Sequence, residues 1–220
     1  MRPRRSTLLL PALCALLLPA ATGCQVVRRV YDVVTGNTPG RYARLLLDDE
    51  DADNRRRGVD GLLARGEFAK EEPYLSNYRR LARYDEDYLV RATAIRALNR
   101  ARDAESAELY IRALADPHAL VRLEGCKALK NMPDDAAKVP LRRLLDRVDQ
   151  DADVRIAAAS ALKHYPDLET ARTLAATLNE RDFSVAWQSR QSLRRLTGQD
   201  FGYDESAWLE YFSGPETPFG

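Results

Sequence analysis

A short sequence pattern recurs along this chain at a nearly constant interval, which restricts the chain to a row of similar structural units. The copies align on a Val-Arg or Val-Ala pair, at Val90-Arg91, Val121-Arg122, Val154-Arg155 and Val185-Ala186. The intervals are 31, 33 and 31 residues, and a weaker copy at Asn54-Arg55 lies 36 residues before the first. Such a period predicts stacked supersecondary units, because one unit of this length cannot bury its apolar face alone.

The residues around each aligned pair also repeat in character. Counted from the Arg position as zero, position +7 is Leu in all five copies, and positions +3 and +6 always hold Gly, Ala or Ser. These positions share one face of an α-helix, where large residues fill a core and small ones let another helix approach closely. Asp at position −4 predicts a helix N-cap. This position holds Asp51, Asp87, Asp151 and Asp182, with His118 in the third unit.

A second amphipathic segment precedes each of these helices. In residues 107–114, 139–145 and 171–178, apolar side chains recur at steps of three and four residues. Each unit is therefore predicted to be a helical hairpin that consists of a first helix, a turn and a second helix. Because neither helix buries its apolar face alone, the hairpins must stack. The sequence predicts an all-α fold, an α-solenoid of about five hairpins.

The segment after the fifth hairpin is predicted to close the stack. Gly198 is suited to a helix C-cap, and Asp204 to the N-cap of a short helix over residues 205–212. Trp208 and its aromatic neighbours Tyr211 and Phe212 would then cover the open end of the solenoid, which would otherwise expose apolar surface.

The repeated pattern resembles HEAT repeats, in particular the short bacterial type that is grouped with the phycobilisome lyase HEAT-like repeats. The resemblance rests on Asp87 with Val90-Arg91 through Leu98, on Val121-Arg122 through Leu129, and on Asp151 with Val154-Arg155 through Leu162. It extends roughly over residues 41–197 and implies a right-handed α-solenoid. It also implies that the repeated polar residues make hydrogen bonds within and between units instead of forming a catalytic site. These residues are Asp87, Arg91, Arg122, Asp151, Arg155 and Asp182.

The N-terminal residues have the composition of an export signal. Three arginines precede an apolar stretch that Pro11 and Pro19 interrupt, and small residues follow. A permanent membrane span needs about 20 apolar residues, and this stretch is shorter. Its end, Ala21-Thr22-Gly23-Cys24, resembles the lipobox of bacterial lipoproteins, which implies cleavage before Cys24 and acylation of its thiol. An ordinary signal peptide and an uncleaved anchor are the alternatives.

We therefore expect three segments, namely a signal peptide over residues 1–23, a lipidated Cys24 with a tether over residues 24–40, and a repeat domain over residues 41–220. The protein would be exported and lipid-anchored to the cell envelope. Loss of the signal peptide leaves 31 basic and 33 acidic residues, a net charge of −2. Cys126 would be the one unmodified cysteine, so no intramolecular disulfide could form, and a buried core thiol is favoured over a reactive one.

Motifs that would indicate catalysis or a resident cofactor are missing from the sequence. It contains no nucleophile elbow, P-loop, dinucleotide-binding glycine motif, HExxH or CxxC. We expect no metal and no cofactor. His118 and His164 are 46 residues apart and favour structural roles. The acidic run over residues 48–53 lacks EF-hand spacing and favours a solvated turn. A cation or sugar site at Asp200, Tyr203 and Asp204 is an alternative to the capping role of the tail.

A binding surface is predicted along the second helices of the hairpins. If these helices line the concave side of the solenoid, positions +5 and +9 should be exposed there and form a mildly basic ridge. A solvated face without a ligand is the alternative. An acidic protein segment, an anionic glycan or lipid headgroups would suit the ridge. It comprises Arg96, Arg100, Lys127, Asn131, Ser160, His164, Gln191 and Arg195.

These observations favour a membrane-anchored, non-enzymatic scaffold or adaptor for a protein partner, with no evident small-molecule substrate. One alternative is a lyase-like enzyme or enzyme subunit, because the resembled family includes bilin lyases; those act in the cytoplasm, and an export signal argues against that activity. A second is a nucleic-acid binder, because alkylated-DNA glycosylases also use HEAT-like stacks. Export and the net charge of −2 argue against nucleic acid.

Overall fold

The computed structural model of this chain describes residues 38–148 and 150–219, and all regular secondary structure in these ranges is helical. The predicted signal peptide, Cys24 and residues 24–37 of the predicted tether lie outside the described residues. The first described helix begins at Pro39, two residues before the expected start of the repeat domain. No helix in the two described ranges has the length and apolar character to cross a membrane.

The α-helices of the described ranges follow one another as hairpins. The odd-numbered helices α1 to α9 are the first helices of the five hairpins, the even-numbered helices α2 to α10 are the second helices, and α11 is the closing helix. Their bounds are α1 Pro39–Leu46, α2 Ala52–Leu63, α3 Tyr74–Tyr84, α4 Tyr88–Ala101, α5 Ala107–Ala113, α6 Ala119–Asn131, α7 Lys138–Asp146, α8 Ala152–Leu162, α9 Leu168–Ala176, α10 Phe183–Thr197 and α11 Glu205–Ser213. Short 3₁₀ turns over Glu67–Lys70, Ala104–Ser106 and Asp135–Ala137 precede α3, α5 and α7.

The second helices form a continuous layer. Helix α2 packs on α4, α4 on α6, α6 on α8 and α8 on α10. The first helices form the other layer, in which α3 packs on α5 and α7 on α9. Each of α3, α5, α7 and α9 also packs on the second helix of its own hairpin. This arrangement confirms the predicted α-solenoid.

Small residues at position +3 allow the two helices of a hairpin to approach closely. A Cβ atom on Gly58 would lie 2.4 Å from the backbone N of Leu46 in α1, and one on Gly125 would lie 2.9 Å from the Cβ of Ala113 in α5. The corresponding Ala158 of α8 is fully buried. Larger side chains at these positions would separate the hairpin helices, as the sequence pattern predicts.

The predicted helix caps are formed by side chains at the N-termini of the second helices and of α11. Asp87 accepts hydrogen bonds from the backbone N–H groups of Leu89 and Val90. The carboxylates of Asp51, Asp151, Asp182 and Asp204 likewise accept bonds from the first turns of their helices. His118 holds the same position in α6 without a side-chain cap bond. Its ring stacks on Tyr88 instead, with a centroid distance of 4.2 Å.

Arginines at position zero connect consecutive hairpins. Arg91 donates through Nε and Nη2 to the two carboxylate oxygens of Asp116, at 2.9 and 3.0 Å, and through Nη1 to the carbonyls of Asp85 and Glu86. Each such arginine therefore closes the turn of its own hairpin and binds the turn of the next. The same kind of contact joins Arg55 to Asp85, Arg122 to Gln150, and Arg155 to Glu180.

Helix α11 closes the C-terminal end of the solenoid, as predicted. It packs on α9, and its Trp208 and Phe212 are buried. The indole N–H of Trp208 donates to the carbonyl of Gly202 at 3.2 Å, and Phe201 meets the indole edge-on. Gly198 ends α10 with a φ of 75°, a left-handed conformation that favours glycine.

Candidate interaction surface on the second helices

The ridge residues predicted from the sequence lie on four successive second helices or directly after them. Arg96 and Arg100 belong to α4, Lys127 and Asn131 to α6, Ser160 and His164 to α8 and the turn after it, and Gln191 and Arg195 to α10. Arg100, Lys127, Asn131, His164 and Arg195 are exposed, whereas Arg96 and Gln191 are half-buried.

Ser160 differs from the expected exposure, since its relative exposure is 6%. The prediction of an exposed Ser160 was therefore wrong. Its side chain is short and lies in a groove that is also lined by the longer side chains of Lys127 and Gln188. Ser160 forms part of the bottom of the groove.

This groove, here called the second-helix groove, runs across α6, α8 and the start of α10. Its volume is about 360 Å³. The apolar side chains that line it are Leu123 of α6 and Ile156 and Ala157 of α8, all of them half-buried. An apolar side chain that is left half-exposed in a groove provides surface that a ligand can cover.

The apolar lining follows the repeat register, at positions that the predicted ridge did not include. Leu123 and Ile156 both occupy position +1, where the fifth unit has Trp187. Trp187 is 47% exposed. Position +8 is basic in the same three units, with Lys130, Lys163 and Arg194. Positions +1 and +8 therefore add an apolar row and a basic row to the predicted ridge.

Basic groups gather at the C-terminal ends of α6, α8 and α10. Burial lowers the pKa of the Lys163 ammonium, and the charges of Lys130 and Arg195 lower it further. Burial also lowers the pKa of His164, with additional effects of Lys163, Arg195 and Lys130. Because α6 packs on α8 and α8 on α10, the three helix ends bring these positive charges together. None of these four side chains forms an ion pair with any carboxylate in the described part of the chain.

Other ridge residues take part in contacts between hairpins. The buried carboxylate of Glu124 accepts from Nη2 of Arg96 at 3.2 Å and from Nζ of Lys127 at 3.1 Å. The amide of Asn131 donates to Oδ1 of Asn99 at 3.0 Å. These contacts hold α4 against α6 and fix the ridge side chains of these two helices.

Cys126 and the acidic run over residues 48–53 both fit structural roles. Cys126 is fully buried, and burial raises the pKa of its thiol to about 12, so the thiolate that reacts with oxidants or metals is scarce at neutral pH. In the acidic run, Asp48 accepts from the Asn54 amide at 2.9 Å and Asp53 pairs with Arg56 at 2.9 Å. Among the described residues, no three His, Cys, Asp or Glu side chains are placed to hold a metal ion.

The alternative site in the tail is occupied by the protein's own side chains. Arg190 donates to both carboxylate oxygens of Asp200, at 2.8 and 2.7 Å, and holds the pKa of that carboxyl at about 2. The same guanidinium lies 5.0 Å from the ring centroid of Tyr203. Asp204 caps α11. The groups that a cation or a sugar would need are therefore used in contacts between α10 and the tail.

A larger depression of about 460 Å³ lies beside the first helices, and its polar lining includes Arg91 and Asp116, which bind each other. Tyr84, which is 70% exposed, also lines it. Its other charged groups include Arg83, which pairs with Glu108, and Asp85, which pairs with Arg55, so most of its charged side chains are used in contacts between hairpins.

Comparisons with known proteins agree with this architecture. The family model for HEAT repeats matches residues 78–163, from the middle of α3 to the end of α8. A crystal structure of an engineered protein, a target of the Northeast Structural Genomics Consortium, is similar with a TM-score of 0.57 and 20% sequence identity. The similarity covers 72% of this chain and 78% of that chain. A search of the curated proteins found no match. Residues 78–163 are thus similar to HEAT repeats, within a chain whose described part folds as an α-solenoid.

Proposed function

We propose that this protein is a lipid-anchored, non-enzymatic scaffold, which presents its helical repeats to a protein partner at an extracytoplasmic membrane surface. HEAT repeats suggest a helical scaffold for protein interaction. The observation that carries the proposal is how the charged side chains are used. The arginines at position zero bind neighbouring turns, whereas Lys130, His164 and Arg195, at the ends of α6, α8 and α10, are exposed to solvent and pair with no carboxylate among the described residues.

The anchor in this proposal rests on the sequence. The basic, apolar and small-residue segments before Cys24 are those of an export signal, and the last four residues resemble a lipobox. Stable membrane residence takes more than one acyl chain, because a single chain binds a bilayer weakly and reversibly. The diacylglycerol group on the Cys24 thiol would supply two such chains, and the proposal includes acylation of the new amine as a third.

The variant Cys24→Ser tests the anchor. Serine lacks the thiol that accepts the diacylglycerol group, so we expect loss of acyl labelling and accumulation of the uncut precursor. Metabolic labelling with an alkyne fatty acid, followed by gel analysis, measures both. Cys14→Ser is the matched control, because Cys14 lies within the signal peptide and should be dispensable. Normal labelling of Cys24→Ser would exclude the lipoprotein proposal.

Site-specific crosslinking in intact cells tests the scaffold role. A photo-reactive amino acid at Lys127, on the exposed second-helix side, should give adducts with a discrete partner that mass spectrometry identifies. The same amino acid at Arg143, exposed on α7, is the control for collisions. Equal adducts at the two positions, or none at Lys127, would contradict a partner on the second helices.

A further inference from the structure

We propose that the second-helix groove binds an extended acidic segment of a protein partner that inserts apolar side chains between the basic ones. This inference rests on the proposed scaffold function and specifies the chemistry of the partner. The segment would lie across α6, α8 and α10, with its carboxylates towards the helix C-termini and its apolar side chains on Leu123, Ile156 and Trp187.

The first support is the apolar row. Leu123 and Ile156 line the groove in a half-buried state, and Trp187 continues the same repeat position on α10 with 47% of its surface exposed. Packed helices lie about 8–10 Å apart, so we expect side chains at the same repeat position on α6, α8 and α10 to follow one another at about that interval. An exposed indole is the kind of side chain that contributes strongly to binding at interfaces.

The second support is the charge around this row. The segments 126–131, 158–164 and 190–197 contain seven Lys, Arg or His residues and no Asp or Glu. Three of the seven are paired, Arg190 and Arg194 with Asp200 and Lys127 with Glu124. Lys130, Lys163 and Arg195 make no ion pair with the described carboxylates. Asp153 is the acidic residue that lines the groove, and it lies at the opposite, N-terminal end of α8. A ligand whose negative charge lies towards the C-terminal ends of the helices would match this distribution of charge.

The position of the apolar side chains favours a peptide over a membrane surface. Leu123 and Ile156 lie in the groove with the longer Lys127 and Lys130 beside them. Lipid headgroups would meet the charged side chains, whereas covering the apolar lining requires a side chain that enters the groove. A chain in the polyproline II conformation directs every third side chain to the same side, about 9 Å apart, which matches the spacing of the helices.

A synthetic peptide with this pattern provides a direct probe. Four repeats of Leu-Pro-Glu place a leucine at every third position of a polyproline II segment and a carboxylate beside each. Binding of the fluorescently labelled peptide to the full-length chain in neutral detergent is measured by anisotropy at low salt. Two control peptides replace every Leu by Ser or every Glu by Lys. We expect the Leu-Pro-Glu peptide to bind and both controls to bind on the order of ten-fold more weakly or not at all.

Charge reversal in the groove tests the location. The double variant Lys130→Glu and Lys163→Glu should weaken binding of the Leu-Pro-Glu peptide by on the order of ten-fold or more. The matched control, Arg80→Glu with Arg143→Glu, makes the same charge change on the exposed sides of α3 and α7 and should leave binding unchanged. Far-ultraviolet circular dichroism and the Tm confirm that both proteins are folded. Trp187→Ala should weaken binding several-fold without altering its salt dependence.

Several results would overturn the inference. These are no binding of the Leu-Pro-Glu peptide, equal binding to the two charge-reversal variants, or equal binding of the Leu-Pro-Glu and Ser-Pro-Glu peptides. A different combination of results would assign the basic cluster to a membrane instead. In that case the Leu-Pro-Glu peptide does not bind, the protein binds vesicles that contain phosphatidylglycerol, and the variant with Lys130→Glu and Lys163→Glu loses this vesicle binding. The acylation and crosslinking experiments involve neither peptide nor vesicle, so the proposed function can fail or hold independently.

Discussion

The contact between an arginine and the next turn shows how single residues join the repeats. Arg91 uses two N–H groups on the carboxylate of Asp116. Between the third and fourth hairpins the acceptor is the amide of Gln150, and Arg122 reaches it with one bond, from Nη2 to Oε1 at 2.6 Å. The Nε of Arg122 and the Nε2 of Gln150 are buried without a hydrogen-bond partner among the described residues. This junction therefore carries two unsatisfied donors.

Replacing Gln150 by Glu should repair this junction. The second carboxylate oxygen can accept from Nε of Arg122, and the buried amide donor is removed, so we expect the free energy of unfolding to rise by about 1 kcal/mol at pH 7. Urea denaturation measures the difference. Gln199→Glu is the control, because Gln199 is exposed beyond α10 and makes no such contact. Unchanged or lower stability of Gln150→Glu would show that burying the new charge costs as much as its bonds contribute.

At the scale of the helices, the small residues decide how closely a hairpin closes. Gly58 and Gly125 leave no room for a Cβ atom, and Ala158 has the same register in α8. The periodic pattern predicts which face of each helix is buried, because apolar side chains three and four residues apart share a face. The capping aspartates mark where these helices begin.

The variant Ala158→Phe tests the register of the repeat. A phenyl group at this fully buried position would push neighbouring helices apart, and we expect a loss of about 1–3 kcal/mol or more in the free energy of unfolding. Thermal and urea unfolding measure it. The matched control is Ala152→Phe, which places the same side chain on the exposed first residue of α8. An unchanged Tm of Ala158→Phe would mean that the assigned register is wrong.

At the scale of the whole solenoid, stability passes from each hairpin to its neighbours, so the last hairpin depends on the helix that covers it. Helix α11 supplies the buried Trp208 and Phe212 and packs on α9. Phe201 and Tyr211 contact each other beside the indole. The tail thus covers the apolar surface that the fifth hairpin would otherwise expose to solvent.

Trp208→Ala should expose this surface and destabilise the C-terminal end. Truncation of a fully buried tryptophan costs about 3–5 kcal/mol, and hydrogen exchange in α9 and α10 should accelerate more than in α4. The control is Trp187→Ala, the same truncation at a side chain that is 47% exposed, which should cost much less. Equal losses in the two variants would contradict the capping role of α11.

The sequence by itself determined the helices, their caps, the stacked hairpins and the closing helix, because each of these depends on the periodic placement of apolar, small and capping residues along the chain. It also indicated which helices carry the basic ridge. Which side chains are exposed on that ridge was decided by the tertiary structure. Ser160 is buried while Leu123 and Ile156 keep exposed surface, because exposure depends on how the helices pack together as well as on the position of a residue in its repeat. The clustering of Lys130, Lys163, His164 and Arg195 also arises only when α6, α8 and α10 pack side by side, which brings together residues from three separate repeats.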